Sequence, residues 1–258
     1  MKRVIAVANQ KGGVGKTTTN VNLAACLAQA GKRVLVADMD PQGNTTSGLG
    51  VDKHNVEHTI YSMLIGQAYL EQVAINTKIE NLQLLPANVH LAGAEIELVG
   101  QPGCEYLLKE IFNHAKYLYD YILIDCPPSL NLLTINALCA ADSILVTIQC
   151  EYYALEGLTQ LMYTIELVQN KLNPNLAIEG VVFTMYDSRT NLSNQVVEEV
   201  RQHLSAYTYD SIVPRNVRLS EAPSYGLPIT LYAPSSKGAE AYINLANEVM
   251  SKQGIARG

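Results

Sequence analysis

No run of apolar residues in the sequence approaches the roughly 18 that a membrane-spanning helix requires. Nor does the basic start, Met1-Lys2-Arg3, lead into a long apolar segment with a small-residue cleavage site. Secreted and membrane-embedded readings are thereby set aside, and a cytoplasmic protein is expected. The five cysteines, at 26, 104, 126, 139 and 150, are odd in number and contain no C-x-x-C. A chain of this size does not need disulfides, so buried free thiols are expected. Charge is also scarce: Asp, Glu, Lys and Arg make up 16% of residues, and the net charge is −6. Such a chain has no overall basic coat, and any contact with DNA must come from a local patch. Repeats, low-complexity segments and charged linkers are absent as well. What the 258 residues do have is 48% hydrophobic content, enough for an ample core and too much for disorder.

Short β-branched runs alternate with longer helical patterns. Strands are expected at residues 4–8, 34–37, 82–85, 121–124, 143–148, 180–184 and 211–213. Several are apolar at every position, as in strands covered on both faces of a parallel sheet. Helices are expected at 16–30, stopped by Gly31, and at 105–117, 158–171, 192–204 and 237–252. The last places Tyr242, Leu245, Ala246 and Val249 on one face. Alternating βα units imply right-handed crossovers. The expected fold is α/β, a doubly wound, mostly parallel sheet flanked by helices, in a single domain over residues 1–258.

The first strand runs into Asn9-Gln10-Lys11-Gly12-Gly13-Val14-Gly15-Lys16-Thr17-Thr18, which opens the first helix. Strand, Gly-rich loop and helix in that order form a P-loop, the phosphate cradle of an NTPase. Gly12, Gly13 and Gly15 let backbone N–H groups turn toward phosphate oxygens, and the helix N-terminus adds its partial positive charge. Lys16 is placed to reach the β- and γ-phosphates, and Thr17 to ligate Mg²⁺ through its hydroxyl; Val14 and Thr18 complete the run. ATP or ADP with Mg²⁺ is the expected cofactor. Asp125 ends the apolar strand "YILID", the place of a Walker-B-type acid that holds the metal through water. Asp38 and Asp40, in "VLVADMDPQGNTT", stand at the carboxyl end of another strand, where open α/β sheets bind ligands. Asp40 is placed on the metal side of the phosphates and can orient the attacking water. Pro41, Gly43 and Asn44 form a turn suited to sensing the γ-phosphate.

Lys11 is a second lysine in a loop that already has Lys16. It has little freedom to curl back onto the same phosphates. Pointing outward, it would bring positive charge to the transferring phosphoryl of a neighbouring subunit, as an arginine finger does in trans. Spacing alone leaves a solvated surface lysine equally open. The stretches "KGGVGKTT", "DMDPQGNTTSGLG", "LAGAEIEL", "DYILIDCPPSL", "VPRNVRLSEAPSYG" and "SSKGAEAY" resemble the ParA/MinD family of deviant Walker A P-loop ATPases, and within it the chromosomal ParA or Soj branch. Gln10 agrees with that branch, because the MinD and nitrogenase iron-protein branches usually carry Gly there. The resemblance covers nearly the whole chain.

It implies an ATPase for chromosome or plasmid partitioning. ATP closes a sandwich homodimer, the dimer binds double-stranded DNA without sequence preference, and a ParB-like centromere-binding partner stimulates hydrolysis and release. Lys11 would then be the lysine that crosses the dimer interface, with Gly12 at its closest contact. By the same resemblance Lys16 binds phosphates, Thr17 and Asp125 serve the metal, and Asp40 positions the water. Glu151 would touch ribose across the dimer, while Pro214, Asn216 and Met185 or Tyr186 would border the adenine. Arg189 and Arg218 would contact DNA phosphates, with Arg215 and Lys237 as weaker members. Association with the nucleoid follows.

The alternatives are a MinD-like membrane-associated cell-division ATPase and an iron–sulfur carrier of the nitrogenase iron-protein type. The tail "NLANEVMSKQGIARG" lacks the basic amphipathic pattern the first needs. Cys104 and Cys139 lie in surroundings unlike those of the second. The chain starts at its first strand, which points away from an added operator-reading module. "HNVEH", residues 54–58, fits a zinc motif, H-x-x-E-H, without a helical pattern around it.

Overall fold

The computed structural model describes residues 2–252. Its strands are β1 (Arg3–Ala8), β2 (Val34–Asp38), β3 (Ile75–Asn76), β4 (Leu82–Leu85), β5 (Tyr121–Asp125), β6 (Ser143–Gln149), β7 (Ala177–Tyr186) and β8 (Thr208–Pro214). They form one sheet in the order β3-β4-β2-β5-β1-β6-β7-β8. Every neighbouring pair is parallel except β3 with β4. The helices are α1 (Lys16–Gln29), α2 (Asn44–Gly48), α3 (Ile60–Leu64), α4 (Leu70–Val73), α5 (Leu91–Glu97), α6 (Leu107–Ala115), α7 (Leu132–Ala140), α8 (Ala154–Lys171), α9 (Asn191–Leu204), α10 (Val217–Glu221), α11 (Ile229–Tyr232) and α12 (Lys237–Ser251).

Successive strand residues point to opposite faces, and here both faces are covered. Val4, Ala6 and Ala8 enter one core with Ile122, Ile124, Phe112 and Leu161. Ile5 and Val7 enter the other with Leu123, Leu23, Leu27, Tyr242 and Leu245, from β5, α1 and α12. That is why the central strands read as continuous apolar runs. Burying one large apolar side chain contributes roughly 1.5–3 kcal/mol. Strand propensities span only about 1 kcal/mol, so packing outweighs them. Gly180 illustrates this inside β7. A Cβ there would stand 2.3 Å from Cε2 of Tyr209, so the glycine leaves space for a ring that is itself fully buried. Beside it, the β6–β7 register passes from Ile144↔Ile178 to Leu145↔Gly180, leaving Glu179 as the extra residue of a bulge. The buried Glu179 carboxylate accepts from Arg3 at 2.9 Å and from Ser143 Oγ at 2.6 Å.

The chain first lays down β1, β2 and β4, then inserts β5 between β2 and β1, and then crosses to β6 on the other side of β1. Direction of winding thus reverses at β1, and the crevice at its carboxyl end is where such sheets bind ligands.

Several elements differ from the sequence expectation. The helix at 105–117 opens as a 3₁₀ turn, Cys104–Tyr106, and is regular only over α6. The one at 158–171 begins four residues earlier, and β7 and β8 are longer at both ends. Helices α2–α5, α7, α10 and α11 and the short β3 were not anticipated. His54–His58 lies in an irregular loop, so its histidines are not on one helix face. All five cysteines are free and buried, which removes Cys104 and Cys139 from any exposed cluster position. Among the described residues no helix is long and apolar enough to cross a membrane; residues 253–258 of the tail lie outside that description.

Candidate nucleotide site and basic edge

The loop after β1 takes its shape from two glycines. Gly13 and Gly15 have φ of +75° and +83°, backbone that a side chain strains. Gly12 is outside that region, and a Cβ on it would meet nothing within 4 Å. Lys16 opens α1 and turns back over the loop, where its Nζ donates to the Lys11 carbonyl at 2.8 Å. Burial lowers its pKa, against the opposing pull of Asp125. The loop forms one wall of a cleft of about 540 Å³, lined by Gly12, Gly13, Gly15, Lys16, Thr17 and Thr18. Asp40, Pro41, Gln42 and Asn44 form another wall, and Pro127, Pro128, Ser129 and Asn131 a third, with Glu95 and Met185 completing it. The Val14 side chain is buried rather than in the cleft.

Asp38 and Asp125 are register partners at the ends of β2 and β5, both fully buried. Asp125 Oδ2 accepts from Thr17 Oγ1 and from Thr45 Oγ1, each at 2.8 Å. Its Oδ1 is buried and has no hydrogen-bond partner among the described residues. Asp38 Oδ2 is held by the Thr46 N–H at 2.8 Å and by its hydroxyl at 2.7 Å. Burial pushes both carboxyls upward, and for Asp125 the neighbouring Asp38 charge adds to the push. A buried carboxylate with a spare oxygen, beside a threonine hydroxyl at the mouth of a phosphate loop, is a donor set suited to a hard cation that keeps its waters. Asp40 is held differently. The Gln42 N–H donates to its Oδ1 and the Gly43 N–H to its carbonyl, both at 2.9 Å, a turn on the wall of the cleft.

Lys11 does not project outward in the single chain, as its position at the loop rim led one to expect. Its ammonium donates to the Tyr153 carbonyl and lies 5.3 Å from the Tyr153 ring centroid. The stem runs across Gly157 of α8, where a Cβ would stand 2.9 Å from Lys11 Cε. The loop rim has a hold within reach at the start of α8, 142 residues along the chain, which loop spacing does not reveal.

Glu151, Pro214 and Asn216 do not line the cleft of their own chain. Glu151 is exposed and pairs with Gln149. Pro214 and Asn216 approach the cleft only through β7. Pro214 is in register with Tyr186, and the Arg215 N–H donates to the Tyr186 carbonyl at 2.9 Å, one residue beyond the cleft-lining Met185. Asn216 caps α10, accepting from the Arg218 N–H at 2.8 Å.

That junction also gathers the basic residues. Arg189 follows β7, Arg215 follows β8, and Arg218 is on α10. Lys237 opens α12 next to Gly238, where α10 packs so closely that a Cβ would meet Leu219 at 2.9 Å. All four are exposed. Two are paired within the chain: Arg189 with Asp187 at 2.7 Å and Arg218 with Glu221 at 2.9 Å. The Arg189 guanidinium holds the Asp187 carboxyl down to about 2, with a smaller contribution from Arg215.

Thr45, Thr46, Glu95 and the 127–131 turn were missed from sequence. Only the last carried a signal, Asn131 at a helix cap, whose side chain accepts from the Thr134 N–H at 3.2 Å.

Sheet order and cleft together define a P-loop nucleotide-binding ATPase. A family model described as an AAA domain matches residues 2–178. The sporulation initiation inhibitor protein Soj of Bacillus subtilis (strain 168) is 58% identical over 249 residues, which is 96% of this chain and 98% of that protein. The chromosome partitioning protein ParA of Myxococcus xanthus (strain DK1622) is 54% identical over 250 residues, covering 97% of this chain and 88% of that protein. Among solved structures, cobyrinic acid a,c-diamide synthase from Mycobacterium smegmatis with bound ADP and magnesium aligns with a TM-score of 0.83 at 39% identity, over 97% of this chain and 94% of that one. The chain belongs to the Soj/ParA family of chromosome-partitioning ATPases.

Proposed function

We propose that the protein is a DNA-partitioning ATPase in which hydrolysis times a DNA-bound dimer, the whole chain acting as one ATPase domain. The observation that carries the reading is the cluster at the loop mouth: Lys16, the Thr17 hydroxyl, and the buried Asp125 carboxylate with its spare Oδ1. Lys16 leaves the Lys11 carbonyl for the β- and γ-phosphates, and the Gly13–Gly15 backbone wraps them. Thr17, Asp125 and Asp40 would hold Mg²⁺, which would supply charge neutralisation for the phosphates. Asp40 orients the attacking water from the turn at the end of β2. Closing the site against a second copy excludes bulk water, which strengthens each of these interactions.

Support for a dimer comes from Gly12 and Lys11. Gly12 has ordinary backbone and open space around it, so the chain itself tolerates a side chain there; a second copy packed on the loop would not. Lys11 is held by exposed contacts on α8 that a partner's nucleotide can replace. Glu151 would reach the partner's ribose, while Pro214, Asn216 and Met185 border the base. Arg189, Arg215, Arg218 and Lys237 form a basic edge, doubled in the dimer, that reads duplex phosphates without sequence preference. A ParB-like protein stimulates turnover, and the protein associates with the nucleoid of the cytoplasm while ATP is bound.

The test is binding to a random-sequence duplex with ATP, with ADP and without nucleotide, over a salt series. Wild type should bind with ATP alone and lose binding with salt. Lys11→Ala and Gly12→Val should fold and fail to bind; Asp40→Ala should bind and not turn over. Binding that ignores the nucleotide would sink the proposal.

A further inference from the structure

We propose that Thr184, two residues from the end of β7, is a positioning residue for phosphate binding: it sets the Val14–Gly15 peptide so that the Gly15 N–H faces the phosphates. The assignment rests on the nucleotide reading above and adds to it a residue outside the P-loop.

Thr184 is buried, and its Oγ1 donates to the Val14 carbonyl at 2.9 Å while standing 3.2 Å from the Ile148 carbonyl. The loop follows β1, whereas Thr184 belongs to a strand two places away in the sheet, so this is a bond between distant parts of the chain. In a trans peptide the C=O and the following N–H point in opposite directions, and no peptide among the described residues is cis. With the Val14 oxygen drawn toward the buried Thr184, the Gly15 N–H turns the other way. Gly15 lines the cleft, so that N–H is presented where anionic oxygens are expected to lie.

The same side chain explains the residue at position 15. A Cβ on Gly15 would stand 3.3 Å from Thr184 Cγ2, tighter than ordinary contact, and its φ of +83° already disfavours a side chain. Thr184 thus secures the peptide with its hydroxyl and closes off the space behind it with its methyl. The next residue, Met185, is a non-glycine held at φ +51° and lines the same cleft. Such backbone persists only where surroundings over-determine it, and it gathers at ligand sites. Here the turn at Met185 lets Thr184 face the loop while Tyr186 goes on to pair with Pro214. One strand end therefore connects the phosphate loop with the segment proposed to border the base.

The experiment compares wild type, Thr184→Val and Thr184→Ser. Titrations with Mg-ADP and with tripolyphosphate are run beside thermal unfolding without ligand. Tripolyphosphate reads the loop without the base. Thr184→Val, which keeps shape and loses the hydroxyl, should weaken both ligands by roughly tenfold, about the worth of one oriented hydrogen bond. Thr184→Ser should restore both affinities. In wild type the Gly15 amide proton should move downfield on adding Mg-ADP, a readout that survives if the valine variant does not fold. A valine variant that melts lower but binds both ligands like wild type would make Thr184 merely structural. A serine variant that fails to rescue, or a Gly15 amide that stays put, overturns the assignment while leaving the nucleotide reading intact. Wild type that binds neither Mg-ADP nor tripolyphosphate overturns both.

Discussion

Asp38 and Asp125 stand side by side in the core, and their burial sets how the fold responds to pH. Burial raises Asp38 to about 6 and Asp125 to about 7, from an ordinary value of 3.8. A folded value above the unfolded one means that the folded state binds more protons in between. The stability this provides is fully present below the unfolded value and is lost as pH rises through about 7. Asp125→Asn removes the charge that burial opposes and keeps an acceptor for Thr17 and Thr45. The variant should show a flatter decline of its urea midpoint between pH 4 and 8 than wild type, with a higher midpoint at the upper end. Its ATP turnover should fall roughly 10–100-fold, as for residues that hold a metal through water. A pH slope equal to wild type would mean that the fold does not raise the Asp125 carboxyl.

At the level of elements, β7 is where several constraints meet: the bulge at Glu179, the close approach at Gly180, the Thr184 bond and the left-handed Met185. Gly180→Ala drives a methyl against the edge of the Tyr209 ring, 2.3 Å from Cε2, and overpacking of this kind costs about 1–3 kcal/mol. Urea unfolding should show that loss at unchanged m-value. A neutral variant would mean that β8, which carries Tyr209, can shift. Little of this could be read in advance. The phosphate loop, α1 and the apolar runs ending at Asp38 and Asp125 were legible because each signal is contiguous. Thr45 and Thr184 were not, because their partners are 80 and 170 residues away. Helices α2–α4 are four or five residues long, too short to show a helical period. Helix α7 is buried over most of its circumference, so its apolar residues show no stripe, and only its Asn131 cap marked where it begins.

On the scale of the whole molecule, the proposed function asks an acidic chain to bind an acidic polymer through four residues, two of them already paired with carboxylates. Exposed pairs of that kind are worth about 0–1 kcal/mol, so DNA phosphates can displace them. The proposed dimer presents each arginine twice. Arg218→Ala should therefore remove two phosphate contacts per bound dimer and reduce the slope of log K against log salt by about two. Fluorescence anisotropy on a labelled duplex measures this, and an unchanged slope would take Arg218 off the DNA surface. The 2.8 Å bond from Lys16 to the Lys11 carbonyl has a consequence at this scale too. The lysine proposed to bind the chain's own phosphates rests on the backbone of the lysine proposed to serve another copy's, so in that reading occupancy of one site and pairing of the copies bear on the same peptide. Linkage is reciprocal: whatever factor nucleotide contributes to pairing, pairing returns to nucleotide affinity. A sparse population of this protein would exchange its nucleotide freely and a crowded one would retain it, making local abundance an input to the clock.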